Sequence, residues 1–389
     1  MNSYEEILEL GPYLTFQPSK NLPIYNWFYY KEAFSPQFID WVIKNFYEEG
    51  IILDPFCGVG TTNLFCKLNE IDSIGIDINP ISILASKVKC NYDIYDLNKM
   101  KDLIEKIERK LYEKKEVKEK WYFELFPPER AFPKGYSKDI IAIKEIIDEI
   151  DEEIYKNFFT LALISIIPYS STVVKDGGVL KINKTKSVVP PKIIFLRKIK
   201  KMLKDLENLE IRKESKKKEC ICRILEGDAR NMSNIREIKE YKDSIKLIVT
   251  SPPYLNNVDY TKVYGLELSL ILSEKEVKEL RKKMFRSFLE REIKGNLELK
   301  YPKLPLVANC YFEDLERFIN QCDKILKEGK ILVVVGNSII REKEIEVDKI
   351  LCEIASKFFD VKIVVGAIRK TRIENKIFKA RESIVILKR

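Results

Sequence analysis

Short, almost wholly apolar runs punctuate this chain, and between them apolar residues recur at every third or fourth position. The runs at 51–53, 245–249 and 331–335 predict buried strands, and those at 73–78 and 220–225 predict two further strands, because each is brief and bounded by turn residues. Two later β-rich runs, 361–368 and 383–387, predict an antiparallel pair at a sheet edge. Helical periodicity predicts a helix over 36–47, with Phe38, Val42 and Phe46 on one face and Gly50 closing it. Further helices are predicted from the glycine-rich loop to about Asn69, after Pro80, over 312–326 and over 347–358. Strand, loop, helix and strand in that order are the units of a parallel α/β sheet.

Residues 91–218 follow another rule. Leu97, Met100, Ile104, Ile107 and Leu111 form one helical stripe, and Ile140, Ile143, Ile147, Ile150 and Ile154 form a second. The run 158–167 is apolar almost all round and predicts a buried segment. A third amphipathic helix opens at Pro190-Pro191 and carries Phe195, Ile199, Met202, Leu206 and Leu209. Its polar face holds Arg197, Lys198, Lys200, Lys201 and Lys204. The sequence thus divides into an N-terminal part with a glycine-rich loop (1–90), a mainly helical insertion closing at the hydrophilic turn 212–218 (91–218), and a C-terminal part (219–389). Within the last, 255–310 is charged and irregular.

Composition narrows the chemistry. The 389 residues contain no histidine, which removes imidazole as a base or metal ligand. Eight cysteines include no C-x-x-C pair, so buried reduced thiols are expected and no metal. No apolar run reaches bilayer length and the N-terminus lacks a secretory pattern, so a cytoplasmic protein without a membrane partner is expected. The net charge of +9 suits a polyanionic partner.

Two loops carry the candidate chemistry. Gly58 and Gly60 follow a strand and allow close approach of backbone to a ligand. Asn63 replaces the third glycine of a dinucleotide fingerprint, and Asp77 at the next strand's end can accept from ribose hydroxyls. Downstream, Thr250 leads into Ser251, Pro252, Pro253 and Tyr254. Two consecutive prolines fix φ and remove two donors, so the loop presents a hydroxyl, bare carbonyls and an aromatic face in a stiff arrangement.

In this order, DPFCGVGTT, GIDINP, EGDAR and TSPPY resemble the S-adenosylmethionine-dependent DNA amino-methyltransferases, above all the N4-cytosine group of restriction-modification methylases. YFEDLERF, VVVGNS and the terminal RESIVILK extend the resemblance. It implies a Rossmann-like, seven-stranded, mostly parallel methyltransferase sheet with a helical insertion. It also implies S-adenosylmethionine as cofactor, held by Phe34, Ser35, Pro36, Asp54, Phe56, Gly58, Gly60, Thr61, Asp77 and Asp228. Ser251, Pro252, Pro253 and Tyr254 would be catalytic, with the serine favouring cytosine N4 over adenine N6. Arg197, Lys198, Lys201, Asn256, Asp259 and Tyr260 would meet double-stranded DNA. The implied setting is protection of host DNA beside a restriction endonuclease of the same site. An N6-adenine enzyme and an RNA guanine-N2 methylase are the alternatives, although the fifty residues before Asp54 leave no space for the upstream RNA-binding domain expected of the latter.

Overall fold

The computed structural model describes residues 4–113, 116–176, 178–211, 219–256, 258–288, 299–373 and 376–389. Its central sheet contains the seven expected strands: β1 (Ile51–Asp54), β2 (Ser73–Asp77), β3 (Cys222–Glu226), β4 (Ile245–Thr250), β5 (Lys330–Gly336), β6 (Asp360–Ile373) and β7 (Lys376–Lys388). Their order across the sheet is β6-β7-β5-β4-β1-β2-β3, and a two-residue strand, Glu5–Glu6, adds to the outer edge of β6. β5, β4, β1, β2 and β3 run parallel, whereas β7 is antiparallel to both neighbours. The fold is therefore α/β, with a large, mainly parallel sheet of the Rossmann-like methyltransferase kind.

Helices flank the strands as the apolar periodicity requires: α1 (Pro36–Phe46), α2 (Thr61–Leu68), α3 (Pro80–Cys90), α4 (Leu97–Glu113), α5 (Tyr136–Asp148), α6 (Glu153–Ser170), α7 (Pro191–Ile211), α8 (Glu274–Lys283), α9 (Leu306–Ile325) and α10 (Val347–Ala355). Between β2 and β3 the described chain adds no strand to the central sheet. There α4 to α7 pack around a core that includes Met100, Ile104, Ile140, Phe158, Phe195 and Met202, all buried.

Several elements depart from the expectation. The isoleucine repeat from Ile140 to Ile154 is split, because Glu149–Glu152 turns the chain between α5 and α6. α9 begins at Leu306 rather than 312, with Pro305 at its N-cap. A hairpin, Val173–Asp176 with Val179–Ile182, interrupts the helical segment. Another, Ser338–Ile340 with Lys343–Ile345, follows β5. The segment 255–310 contains α8 and two four-residue helices, Tyr260–Val263 and Gly265–Leu268. The turn at 212–218 and positions 257 and 289–298 lie outside the described residues. Among the described residues no helix is long and apolar enough to cross a membrane.

Gly75, in β2, is a tight point of this packing. A Cβ there would run into the Asn63 side chain and come within 2.9 Å of Cys57 Cβ. Both belong to the segment that leads from β1 into α2, so the absence of a side chain at 75 sets how closely that segment lies on β2. Gly75→Ala is expected to cost about 1–3 kcal/mol, read as a lower urea midpoint with an unaltered slope. An unchanged midpoint would refute this packing.

Candidate active site

The glycine-rich loop and the Ser-Pro-Pro-Tyr loop open into the same cavity, of about 600 Å³. It lies where the parallel strands end at their carboxyl termini, the position at which open α/β sheets bind ligands. Its walls come from the loops after β1, β2, β3 and β4, from residues near 14 and 30–34, and from Arg369 and Glu382 on β6 and β7.

The two principal loops are tied together below the floor. Asp54, at the end of β1, is almost completely buried. It accepts from Thr62 Oγ1 at 2.6 Å, Thr250 Oγ1 at 2.7 Å and Phe56 N at 3.2 Å. Thr250 immediately precedes Ser251 and also accepts from Phe56 N at 3.1 Å. Burial pushes the Asp54 carboxyl up to about 6, against the opposing pull of these donors.

On the glycine-loop side, Gly58 and Gly60 have φ of +51° and +75°, a left-handed conformation that favours glycine. A Cβ on Gly60 would strike Ser86, whereas one on Gly58 meets only Tyr30 Cε1 at 3.9 Å. Gly58 therefore offers bare backbone to the cavity. Thr61 lines the wall at the start of α2, where unpaired amides favour an anion. Asp77 Oδ2 accepts from Gly58 N at 2.9 Å and Oδ1 from Asn79 N at 2.8 Å. Burial raises the Asp77 carboxyl to about 7.

Asp228 also lines the cavity. Arg230 donates to both of its oxygens, and Arg230 is held in turn by the fully buried Asp314 of α9 at 2.8 Å. Phe56 packs edge-on against Phe285 and Phe318, with ring centroids 5.6 and 5.2 Å away.

At the second loop, Ser251 Oγ donates to Val334 O at 3.3 Å, which leaves its lone pairs free to accept. The Tyr254 ring lies across Gly336, where an added Cβ would sit 3.0 Å from ring carbons. Tyr254 Oη donates to Glu382 Oε1 at 2.8 Å, and Arg369 Nε donates to Glu382 Oε2 at 2.7 Å. Tyr30 continues the aromatic wall, stacked on Tyr264 at 4.9 Å and on Tyr260 at 6.5 Å. Of these neighbours, Tyr30 and Arg369 belong to no quoted motif, and Arg230 and Glu382 stand within EGDAR and RESIVILK without a role assigned to them. The charged and aromatic content of RESIVILK and of residues 27–30 was the available signal.

Twelve of the residues singled out in the sequence line the cavity: Phe34, Phe56, Gly58, Thr61, Asp77, Asp228, the four of the proline loop, Asn256 and Tyr260. Ser35, Pro36, Asp54 and Gly60 lie outside its lining. Ser35 is fully buried and its hydroxyl has no partner among the described residues. Asp259 caps the helix at Tyr260 by accepting from Thr261 N at 2.9 Å, and pairs with Arg281 at 3.1 Å. Arg197, Lys198 and Lys201 sit on α7, away from the cavity lining. Arg197 and Lys201 are exposed. Lys198 instead turns inward and donates to Asn26 O at 3.1 Å, and burial lowers its ammonium to about 7.

The DNA methylase family model matches residues 15–87, which span Phe34 to Asp77 of this site. The chain is 29% identical to the type II methyltransferase M.BsoBI of Geobacillus stearothermophilus, over 79% of its own length and 64% of the relative's. It is 27% identical to M.AvaI of Nostoc sp., over 88% of this chain and 80% of that one. It is 26% identical to M.MjaII of Methanocaldococcus jannaschii, over 81% and 72%. The match and these similarities support the N4/N6 methyltransferase family of restriction-modification enzymes. The matched segment includes the glycine-rich loop, which Asp54 joins to the Ser-Pro-Pro-Tyr loop. The chain spans 64% of the length of the Geobacillus relative.

Asp54 gives a pH signature. Its folded pKa lies above the ordinary 3.8, so between about pH 4 and pH 6 the folded state holds a proton that the unfolded chain releases. That contribution is fully present below the unfolded value and is lost as pH rises through the folded one. Asp54→Asn should therefore lose less stability than the unmodified chain when pH rises across this window, as measured by urea unfolding at each pH. Parallel pH profiles for the two proteins would refute the buried-carboxyl assignment.

Proposed function

We propose that this protein is a site-specific DNA methyltransferase that methylates the exocyclic N4 of a cytosine flipped out of double-stranded DNA. S-adenosylmethionine would be the methyl donor, and the modification would protect host DNA beside an endonuclease acting on the same site. The observation that carries this reading is the single cavity shared by Gly58, Asp77, Ser251 and Tyr254.

The residues fit the cofactor. Gly58 leaves a space that a Cβ would enter, Asp77 lines the cavity with a carboxylate, and the first turn of α2 offers amides. Asp77 would hold the ribose hydroxyls, the α2 terminus with Gly58 and Thr61 the carboxylate, and Asp228 the adenine amino group. Phe34 and Phe56 would enclose the apolar parts, and Ser35, Pro36, Asp54 and Gly60 would support them from behind. Once bound, S-adenosylmethionine supplies an electrophilic methyl group.

The rest of the task falls to the chain. An exocyclic amine is a poor nucleophile because its lone pair is delocalised into the ring. Ser251 Oγ, already donating to Val334 O, and the Pro252 carbonyl would accept hydrogen bonds from the two amine N–H groups and favour a more tetrahedral nitrogen. Pro253 stiffens the loop, and Tyr254, fixed by Glu382, would stack on the base. Asn256 and Tyr260 would shape the pocket. In-line attack then needs chiefly positioning and exclusion of water. The chain has no histidine, and the scheme requires no imidazole. Extrusion of the base from the duplex costs about a few kcal/mol, to be offset by such contacts. The helical segment 91–218, with Arg197 and Lys201 exposed on α7, would contribute to DNA recognition.

Incubation with labelled donor and duplex DNA, followed by digestion to nucleosides, should yield N4-methylcytosine. N6-methyladenine would overturn the base assignment, and label confined to RNA would overturn the substrate. Ser251→Ala should lower kcat by about tenfold to a hundredfold, the loss of one or two hydrogen bonds in the transition state, and leave donor affinity unchanged. Asp77→Ala should chiefly weaken donor binding. Equal loss of donor affinity in both variants would contradict the division of roles.

A further inference from the structure

The β6–β7 hairpin is longer than the sheet that supports it. β5 pairs with β7 only as far as Gly336 opposite Glu382, and Glu5–Glu6 covers β6 only at Val364 and Val365. The six residue pairs from Ile368–Arg381 to Ile373–Lys376 continue past both as a two-stranded ribbon. At roughly 3.4 Å per residue it extends about 17 Å. An isolated two-stranded ribbon is marginal in water, so a long one without a sheet on either side calls for a reason.

Its chemistry supplies one. Between Ile368 and Arg381 the sequence has Arg369, Lys370, Arg372, Lys376, Lys379 and Arg381 against a single acid, Glu374. Three of the cations have work at the base of the ribbon or beside it: Arg369 with Glu382, Arg381 with Glu346 and Asp348, and Lys376 with Glu342. Lys370 and Lys379 are different. They lie directly opposite one another in register, both exposed, and among the described residues no carboxylate pairs with either. Like charges facing each other across a strand pair are destabilising, and a polyanion would relieve that repulsion. On the same face stand two apolar residues that water does not explain, Ile368 at 47% and Ile377 at 68% exposure.

The ribbon also has the right place. Its root holds Arg369 and Glu382, which line the catalytic cavity beside Tyr254. A two-stranded β-ribbon fits the major groove of B-form DNA. We infer that the ribbon formed by 368–373 and 376–381 is a DNA-contacting arm, with Lys370 and Lys379 on backbone phosphates and Ile368 and Ile377 against sugar or base edges. This inference rests on the proposed DNA substrate and adds a contact surface far along the chain from α7.

The test is the Lys370→Gln, Lys379→Gln double variant of the full chain, titrated with random-sequence duplex DNA over a range of salt concentrations. The slope of log affinity against log salt should become shallower by about one per lysine. Affinity at low salt should fall several-fold, with S-adenosylmethionine affinity and the unfolding midpoint unchanged. An unaltered slope overturns the arm. So does a change in oligomeric state with DNA binding intact, which would make the ribbon a contact between copies. Absence of salt-dependent DNA binding by the unmodified chain overturns it as well. Methyl transfer to DNA by the unmodified chain, measured separately, reports on the underlying reading alone.

Discussion

One buried carboxylate holds this site together. Asp54 ends β1 and takes hydrogen bonds from Thr62 on one side and Thr250 on the other. The first belongs to α2, behind the glycine loop, and the second carries the Ser-Pro-Pro-Tyr loop. A carboxylate so deeply buried is costly unless its oxygens are satisfied, and satisfying them fixes the two loops relative to each other. The separation of methyl donor and acceptor would therefore be set by the fold before either ligand arrives.

Similar couplings recur around the cavity, always between a strand end and a more distant element. Asp228 is steadied by Arg230, which α9 anchors through Asp314. Tyr254 is pinned by Glu382 from β7, and Glu382 by Arg369 from β6. Each of these acids is held by a guanidinium, whose planar fork can bond a carboxylate through more than one nitrogen. Pre-organisation of this kind suits a reaction whose main demand is placement. It would also let a chain without histidine carry out the proposed methyl transfer.

Much of this was legible in the residues themselves. Short, mostly apolar runs located all seven strands; β1, β4 and β5 are buried on both faces, which leaves little room for polar residues, whereas β3 at the sheet edge is only partly covered. Gly58, Asp77 and Ser251 stood out because their backbone or side-chain chemistry is specific to a strand's end. Other features were hidden for physical reasons. The break between α5 and α6 lies within an unbroken isoleucine period, and periodicity cannot see a chain reversal that preserves phase. Glu382 and Arg369 looked like ordinary strand residues, because their partners are far away in sequence. Lys198 shares a basic helix face with Arg197 and Lys201, yet it folds inward onto Asn26 O. A charge on a helix cannot disclose which way its flexible stem turns. The basic ribbon was obscured because the two runs predicted there stop short of the residues that pair beyond the sheet.

The central claim is that the methyl donor and the proline loop occupy one cavity, and ultraviolet photolabelling tests it directly. Methyl-tritiated S-adenosylmethionine, irradiated on the purified protein and followed by peptide mapping, should leave its label on peptides containing Tyr254, Tyr30 or Phe56. Competition by unlabelled donor should abolish that label. Competable label found only on peptides that contribute nothing to the cavity, such as those of α4 or α5, would contradict the account.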